Sequence, residues 1–456
     1  MTIPLTPVQQ AHHAQPEDAQ YRWFLASSLT LALGGGFAVA LLLPLARLYD
    51  WGWAAGVRWD ALAQAHGQLQ LIGFTGLFIT GMAFRLMPRF SGRPLAFAGA
   101  ALWLIPLVAA SLLLRMFAQP WSPGAGRDAA LVLSAVLYLA AAALFAAIIA
   151  RTLVHPDSRA EATGIFFVLG AAGNAGAAVL NLIALEPVVR DDLWAAPALR
   201  QNALVAAQLF GFIMMFIGGV GLRAVPTLTG RPRPDAGARI AAAAMAVGVV
   251  MYTGAMLSVE YDAATELRWR WSDAGMFVVA GAFAAIAVMS GALHVGRSRV
   301  AAASQTQFWL VRSAFAWLAL TAVVMAWYAG RAIYHGDTFD IWELDTVRHM
   351  LALGVITTMI VGIAMLVVPE YAGRRLQHPN EGPIVWALVL ALNAAAVLRT
   401  WPPSEAAEWL EDSRYWPIAI GGVLAIAVVL VFAAMFVQSY AEQRQPGWAL
   451  PGRRRS

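Results

Sequence analysis

The chain contains no cysteine and no lysine, and it has few charged residues of any kind. Without cysteine it forms no disulfide, thiolate metal site, iron–sulfur cluster or covalent c-type haem, so any metal must rest on histidine, methionine or carboxylate ligands. Only 12% of the 456 residues are charged, whereas 60% are hydrophobic. Long apolar runs with so little charge indicate a chain solvated by lipid, and they predict an integral membrane protein.

The basic residues do not indicate a nucleic-acid partner. All 31 are arginines, and the formal net charge is +5. They lie at the ends of apolar segments rather than in one basic patch. The partner that this composition predicts is the lipid bilayer.

Twelve apolar segments are long enough to cross the roughly 30 Å hydrocarbon core of a bilayer. They lie at approximately 22–45, 63–87, 96–117, 129–150, 162–186, 199–225, 238–258, 273–296, 308–330, 344–369, 383–400 and 416–437. We therefore predict an all-α polytopic membrane protein with twelve transmembrane helices.

The distribution of arginine predicts the orientation of these helices. With the amino terminus inside, 18 arginines fall in the inner loops and tails and 12 in the outer ones. Cytoplasmic loops are enriched in basic residues. We therefore expect a multi-pass protein of the bacterial inner membrane with both termini in the cytoplasm.

One motif, with the spacing G-x7-G-x6-P-x3-G-R, occurs three times. Its first two glycines lie about two helical turns apart, where they form a smooth stripe that allows close approach of a neighbour. We expect the proline to end the span and Gly-Arg to follow at the inner interface. The copies are Gly73, Gly81, Pro88, Gly92 and Arg93; Gly211, Gly219, Pro226, Gly230 and Arg231; and Gly354, Gly362, Pro369, Gly373 and Arg374.

These copies fall on the second, sixth and tenth spans, at offsets of 138 and 143 residues. The repeat predicts three pseudo-equivalent four-helix units at 22–150, 151–296 and 297–437, between cytoplasmic tails at 1–21 and 438–456. We expect the three motif helices to superpose by a pseudo-threefold rotation about the membrane normal.

Two histidines lie in the first outer turns of motif helices. His66 is 22 residues before Pro88, and His349 is 20 residues before Pro369, whereas Leu204 occupies the position of His66 in the middle copy. Imidazole is a common metal ligand, so the pair is a candidate site. A lone histidine at a lipid interface is also a common anchor, and the pattern alone leaves both interpretations open.

Three arcs of four helices, with histidines at the outer ends of helices two and ten, resemble the large subunit of haem-copper oxidases and nitric oxide reductases. The segments GFTGLFITGMAFRLMPRFSGRP and HMLALGVITTMIVGIAMLVVPEYAGRRL are more closely similar to the NnrS family of haem- and copper-associated membrane proteins, which is linked to nitric oxide metabolism. The motif helices cover under a quarter of the chain, and the helix count extends the resemblance over the remainder.

The resemblance implies a b-type haem held by His66 and His349, and copper without identifiable ligands. Arg348 and Arg58 are the cations nearest in sequence for the haem propionates. Gln70, one turn from His66, is a candidate acceptor for the second imidazole nitrogen. The implied partners are nitric oxide and a redox partner or quinone, in denitrification or respiratory stress.

The sequence departs from the oxidases at their catalytic centre. Val347 stands where a second histidine of the tenth helix binds the catalytic haem, and the sixth and seventh spans lack the copper-binding histidines. Oxidase or nitric oxide reductase activity is therefore not expected, and no enzyme class is assigned. The haem would serve sensing, ligand binding or electron transfer.

Two other function classes fit twelve spans: a transporter or channel without haem, and a structural assembly subunit. Transporters commonly place charged groups within the membrane. The predicted spans hold essentially no acids, so an ion-coupled mechanism would lack its proton carrier. A visible absorption spectrum distinguishes a haem protein from both alternatives.

Overall fold

The computed structural model describes residues 20–56, 58–154, 161–261, 266–294, 299–300, 304–335, 339, 341–371, 381–403, 410 and 413–441. Throughout these ranges every regular element is a helix, so the all-α prediction is confirmed. Twelve of the helices are long and apolar enough to cross a bilayer, which confirms the predicted number of spans.

We label these twelve spans α1 to α12, and we call outer the end of the molecule that carries the α1–α2 loop. Their bounds are Tyr21–Leu48, Trp59–Ser91, Ala98–Ala118, Ala125–Leu153, Ala162–Arg190, Ala198–Thr229, Asp235–Ser258, Trp269–Ser290, Gln305–His335, Trp342–Leu366, Gly382–Thr400 and Tyr415–Gln438. Five helices extend further: α7 covers Asp235–Tyr261, α8 covers Glu266–Ser290, α10 begins at Ile341 and ends at Tyr371, α11 covers Glu381–Thr400 and α12 covers Tyr415–Ala441.

The three motif helices α2, α6 and α10 lie at the centre of the molecule. In their most apolar stretches 83%, 94% and 78% of the residues are buried, whereas the other spans reach at most 56%. The other nine helices therefore surround these three and present their remaining apolar surface to lipid.

Contacts between the helices recur at intervals of four along the chain. α1 packs on α2, α5 on α6 and α9 on α10, while α4 packs on α5, α8 on α9 and α12 on α1, which closes the ring. The central helices α2 and α6 also meet directly. The superposition of three units with the boundaries given above stays a prediction, as does the cytoplasmic location of the termini.

The motif glycines permit close approach between each central helix and the helix before it. A Cβ built on the second glycine of each copy would lie against the Cβ of one residue: Gly81 against Phe24 at 2.6 Å, Gly219 against Phe166 at 2.8 Å and Gly362 against Leu310 at 2.8 Å. The first glycine meets the residue seven positions further along: Gly73 meets Leu31, Gly211 meets Gly173 and Gly354 meets Trp317. Contacts of 2.8 Å or less at the second glycines and at Gly354 are closer than a packed interface tolerates, so glycine is required there. A Cβ on Gly211 would make only ordinary contacts, at 3.4 Å and 3.7 Å.

Each central helix contains a π-helical segment near its outer end. These segments are Leu69–Gly76 in α2, Ala207–Ile213 in α6 and Met350–Thr357 in α10, and α1 contains another at Ala32–Gly36. The step from Leu69 to Ala207 is 138 residues and that from Ala207 to Met350 is 143, the same offsets as the motif copies. Since π turns are rare and concentrate at functional sites, the outer third of the centre is where a site is expected.

At the inner ends of α2 and α6, the expectation that the proline ends the span is wrong, and the expectation that a glycine follows it there is confirmed. Each helix continues past its proline, Pro88 or Pro226, and ends before a left-handed glycine, Gly92 with φ of 69° or Gly230 with φ of 75°. Proline does not end the span here because it removes a single backbone donor, whereas the left-handed glycine turns the chain out of the helix. Gly373 of the third copy lies outside the described residues.

We predict that Gly92→Ala lowers stability by about 1–2 kcal/mol, because a Cβ is strained in the left-handed conformation. A Cβ at Gly92 would meet no atom within 4 Å, so the loss measures backbone strain alone. The measurement is the melting temperature of the purified protein in detergent. Gly126→Ala in α4, where a Cβ also meets nothing within 4 Å, is the matched control and should match or exceed wild type; equal losses in both variants would contradict the prediction.

The contact between α5 and α6 yields a second prediction. A Cβ on Gly173 would overlap the backbone carbonyl of Gly211, whereas a Cβ on Gly176, one turn further on, would meet nothing within 4 Å. Gly173→Ala should therefore separate the two helices and cost about 3 kcal/mol. Folded yield by size-exclusion chromatography checks this, with Gly176→Ala behaving like wild type; a normal yield for Gly173→Ala would show that the helices do not approach so closely.

Candidate functional site

His66 lies on α2, in the last α-helical turn before the π segment Leu69–Gly76. Its Nδ1 is 2.8 Å from the backbone carbonyl oxygen of Gly36 on α1. Because a carbonyl oxygen only accepts, Nδ1 carries the proton and donates it, and Nε2 keeps a free lone pair. A neighbouring helix therefore fixes both the tautomer and the direction of this imidazole.

His349 lies on α10, directly before the π segment Met350–Thr357. Its Nδ1 is 2.8 Å from the backbone carbonyl oxygen of Asp345 and 3.2 Å from the Oδ1 atom of the same residue. Both oxygens accept, so Nδ1 again carries the proton and Nε2 again keeps its lone pair. The two histidines thus adopt the same tautomer through different partners.

The structure brings the two histidines into one region. His66 lies within electrostatic range of His349, and also of Asp345 and Arg399. In the described part of the chain neither Nε2 atom has a hydrogen-bond partner. Helices α1, α2, α10 and α11 therefore converge on two imidazoles whose lone pairs are available to a ligand or metal.

The Asp345 side chain, which lies beside His349, takes part in an ion pair. Arg399 of α11 donates two hydrogen bonds to the Asp345 carboxylate, at 2.7 Å to Oδ2 and 3.1 Å to Oδ1. A bidentate pair of this kind fixes the carboxylate in the plane of the guanidinium. Asp345 is four residues before His349, on the same helix face, and that spacing was the available sequence signal for this contact. Our sequence analysis did not identify Asp345 or Arg399.

Arg348 and Arg58 have different surroundings. Arg348 donates from Nη2 to the Oδ1 atom of Asn202 on α6 at 2.7 Å, and it lies within electrostatic range of Asp345. Arg58 precedes α2, donates to the carbonyl of Pro120 at 3.0 Å and lies over the rings of two tryptophans, Trp53 and Trp194. The structure therefore places Arg348 beside the histidine region and places Arg58 in an aromatic cluster at the outer loops.

Gln70 is not the acceptor for His66, because the imidazole turns towards α1 and donates to the Gly36 carbonyl instead. The Gln70 side chain packs on the same glycine, so closely that a Cβ there would lie 2.9 Å from its Cδ. Gln70 was predicted because it lies one turn from His66 on the same helix. The rotation of α2 relative to α1 instead turns the imidazole towards Gly36.

A pair of amides joins two central helices at this level. Gln68 of α2 and Gln208 of α6 each donate from Nε2 to the Oε1 atom of the other, at 2.9 Å and 2.8 Å, and both side chains are buried. Each amide satisfies the other where no water is present. Sequence reasoning missed this pair because two glutamines 140 residues apart carry no signal for pairing.

The expectation that the spans hold essentially no acids does not extend to their outer turns. Asp273 on α8 and Glu343 on α10 are buried, with exposures of 1% and 4%, and they lie within electrostatic range of each other. Glu343 pairs with Arg331 of α9. The predicted span 273–296 begins at Asp273, and the predicted span 344–369 begins one residue after Glu343. Polar residues in the outer turns lower the local hydropathy, so both predicted spans begin later than the helices themselves.

A separate metal centre is not apparent. Within the described ranges, no group of three or more histidine, aspartate or glutamate side chains is arranged to hold a metal ion. Copper ligands, which the sequence also left unidentified, stay unassigned. The histidine pair offers two nitrogen ligands, which is the number that a haem iron accepts above and below its ring.

Comparison with known proteins adds no family assignment: no protein-family model matches the chain, and no curated protein matches it significantly.

We predict that Gln68→Leu and Gln208→Leu each cost about 1–3 kcal/mol, because each leaves the other amide buried without a partner. The double variant should cost less than the sum of the two single losses, since neither amide then remains. Melting temperatures of the four proteins in detergent give the coupling. Strictly additive losses would show that the two amides do not depend on each other.

Proposed function

We propose that the protein is an integral membrane haem protein in which His66 and His349 hold the iron of a b-type haem. One observation carries the proposal: two imidazoles in the same region are both fixed with Nδ1 donating and Nε2 free. Axial histidines of metal sites bind through one nitrogen while the other is oriented by a carbonyl or carboxylate. The donor set therefore fits the two axial positions of a haem iron.

The charges around the two histidines also fit a haem. The Arg348 guanidinium donates to the neutral amide of Asn202, so its positive charge is still available to a propionate. Asp345 and Arg399 neutralise each other beside His349.

A bound haem supplies an iron that accepts and releases a single electron. The chain determines how that iron is used, because His66 and His349 would occupy both axial positions. Two protein ligands favour electron transfer, or sensing through displacement of one ligand, over catalysis at an open site. Nδ1 of His349 has both a carbonyl and the Asp345 carboxylate as acceptors, whereas Nδ1 of His66 has a single carbonyl.

The setting of this haem rests on the resemblance to the NnrS family. On that ground we propose a role in nitric oxide handling, denitrification or respiratory stress at the bacterial inner membrane, with both termini cytoplasmic. The partners would be nitric oxide and a redox partner or quinone, and copper is a further metal to be tested. Arg58 is the weaker of the two propionate partners, because its guanidinium already contacts Pro120 and two tryptophans.

One observation favours a second candidate function, a transporter without haem. The Oδ2 atom of Asp273 is buried and has no hydrogen-bond partner among the described residues. Buried acids in membrane helices commonly carry protons or bind cations. A purified protein that is folded but has no visible haem absorption would favour this alternative.

The haem proposal predicts that His66→Ala and His349→Ala each lose haem or shift its spectrum to the high-spin form, because one axial ligand is removed. The measurement is haem per polypeptide together with oxidised and reduced absorption spectra of each purified variant. Monodisperse elution from size exclusion shows that a variant without haem is still folded.

His294→Ala is the matched control for this experiment. His294 is exposed beyond the inner end of α8, so its replacement should leave haem content and spectrum unchanged. The proposal is wrong if both site variants keep full haem with the wild-type low-spin spectrum, or if folded wild-type protein binds none.

A further inference from the structure

Arg115 is a positive charge buried inside the helix bundle. It lies on α3, one turn before the outer end of that helix at Ala118, and only 2% of it is exposed. Arginine stays protonated in proteins. Its charge must therefore be balanced or solvated where it lies.

The hydrogen bonds of Arg115 go to neutral groups. Its Nε donates to Oε1 of Gln119 at 2.9 Å, and its Nη1 donates to Oδ1 of Asn181 on α5. Its Nη2 is buried and has no hydrogen-bond partner. In the part of the chain that the structure describes, no carboxylate forms an ion pair with this guanidinium.

A second arginine provides a comparison, because its positive charge is paired. Arg127 of α4 is also buried, but Nε pairs with Asp128 at 3.1 Å, and Nη1 and Nη2 donate to the carbonyls of Leu193 and Val188. All three of its nitrogens are used, and an acid lies beside it. Arg115 differs in both respects.

Among the described residues around Arg115, none supplies a counter-charge. Tyr138 of α4 is within electrostatic range, and its hydroxyl donates to Asn174 at 2.9 Å. The adjoining wall is a cluster of small apolar side chains between α3, α4, α5 and α6, which includes Ala118, Ala135, Ala177 and Ala184. An unbalanced charge in such a place costs several kcal/mol.

A chain of amides leads from Arg115 to the outer loops. Gln119 donates from Nε2 to Oε1 of Gln64 at 2.8 Å, and Gln64 exchanges two hydrogen bonds of 2.9 Å with the backbone of Ala196. Ala196 lies in the loop between α5 and α6. The chain of hydrogen bonds therefore runs from the buried guanidinium to Gln64, which is partly exposed, and to the loop before α6.

We propose that Arg115 is the centre of a binding site for one small monovalent inorganic anion, seated against its free Nη2 and reached from the outer loops along Gln64 and Gln119. A monovalent anion balances the one unpaired charge, which a water molecule would only solvate. The anion must be small because Arg115, Gln119 and Asn181 are all buried. This site is separate from the histidine pair and does not depend on haem.

The decisive variant is Asn181→Asp, because Oδ1 of Asn181 already accepts a hydrogen bond from Arg115. An aspartate there places a carboxylate on the guanidinium without changing the size of the side chain. It should raise the melting temperature in the absence of small anions and remove any dependence on them. A folded protein is therefore expected even where Arg115→Gln fails to fold.

The experiment compares melting temperatures of the purified full-length chain in sodium gluconate, chloride and nitrate at constant ionic strength. Wild type should melt about 3 °C higher in chloride or nitrate than in gluconate, because only the folded state binds the anion. Asn181→Asp should melt at the same temperature in all three salts. Arg127→Gln is the matched control for a buried arginine and should keep the wild-type dependence at a lower melting temperature.

Equilibrium dialysis with radioactive chloride gives the stoichiometry. One saturable site per chain in wild type and Arg127→Gln, absent from Asn181→Asp, supports the proposal. An equal response of Asn181→Asp and wild type to chloride would show a general salt effect and overturn it. Absence of saturable binding to wild type would overturn it as well.

Discussion

The contact between a glycine on each central helix and the helix before it is the constraint on which the rest of this structure depends. In lipid no hydrophobic force drives helices together, so tight packing of small residues must do so. The second motif glycine lies directly against a Cβ of its neighbour in α2, α6 and α10 alike. This close approach makes these three helices the buried centre of the molecule and leaves the other nine to face lipid.

Burial of the centre then determines the chemistry of its polar groups. In the absence of water each donor and acceptor needs a partner from another helix. The amide pair between α2 and α6, the ion pair between Asp345 and Arg399, and the imidazole donation to Gly36 all meet this need. A buried polar atom without a partner in such a network calls for an explanation, and a bound ligand is one such explanation. The two imidazole Nε2 atoms and Nη2 of Arg115 are of this kind.

Much of this architecture could be predicted from the sequence, because apolar length and glycine spacing act locally. The twelve spans and the left-handed glycines at 92 and 230 follow from residues near one another in the chain. The partners of His66 and His349 did not follow in the same way. Gly36 accepts from His66 only because α1 and α2 meet at a particular rotation, which no local pattern encodes.

The burial of charged residues was likewise only partly predictable from the sequence. Hydropathy averages over a window, so an acid in the first turn of a helix is counted with the loop even when the helix buries it. The predicted spans therefore began at Asp273 and one residue after Glu343, although α8 begins at Glu266 and α10 at Ile341.

The π segments let the outer and inner parts of each central helix present different faces to their neighbours. A π turn holds one residue more than an α turn, so the residues beyond it are rotated by about 100° from where a continuous α-helix would place them. In α2 the face that carries His66 is therefore set independently of the face that carries Gly81. The extra residue works as a rotational offset: it lets the inner part of the helix keep its glycine seam while the outer part aims a ligand elsewhere. The loss of one residue from Leu69–Gly76 would turn the histidine away from α10 without disturbing the seam beneath it.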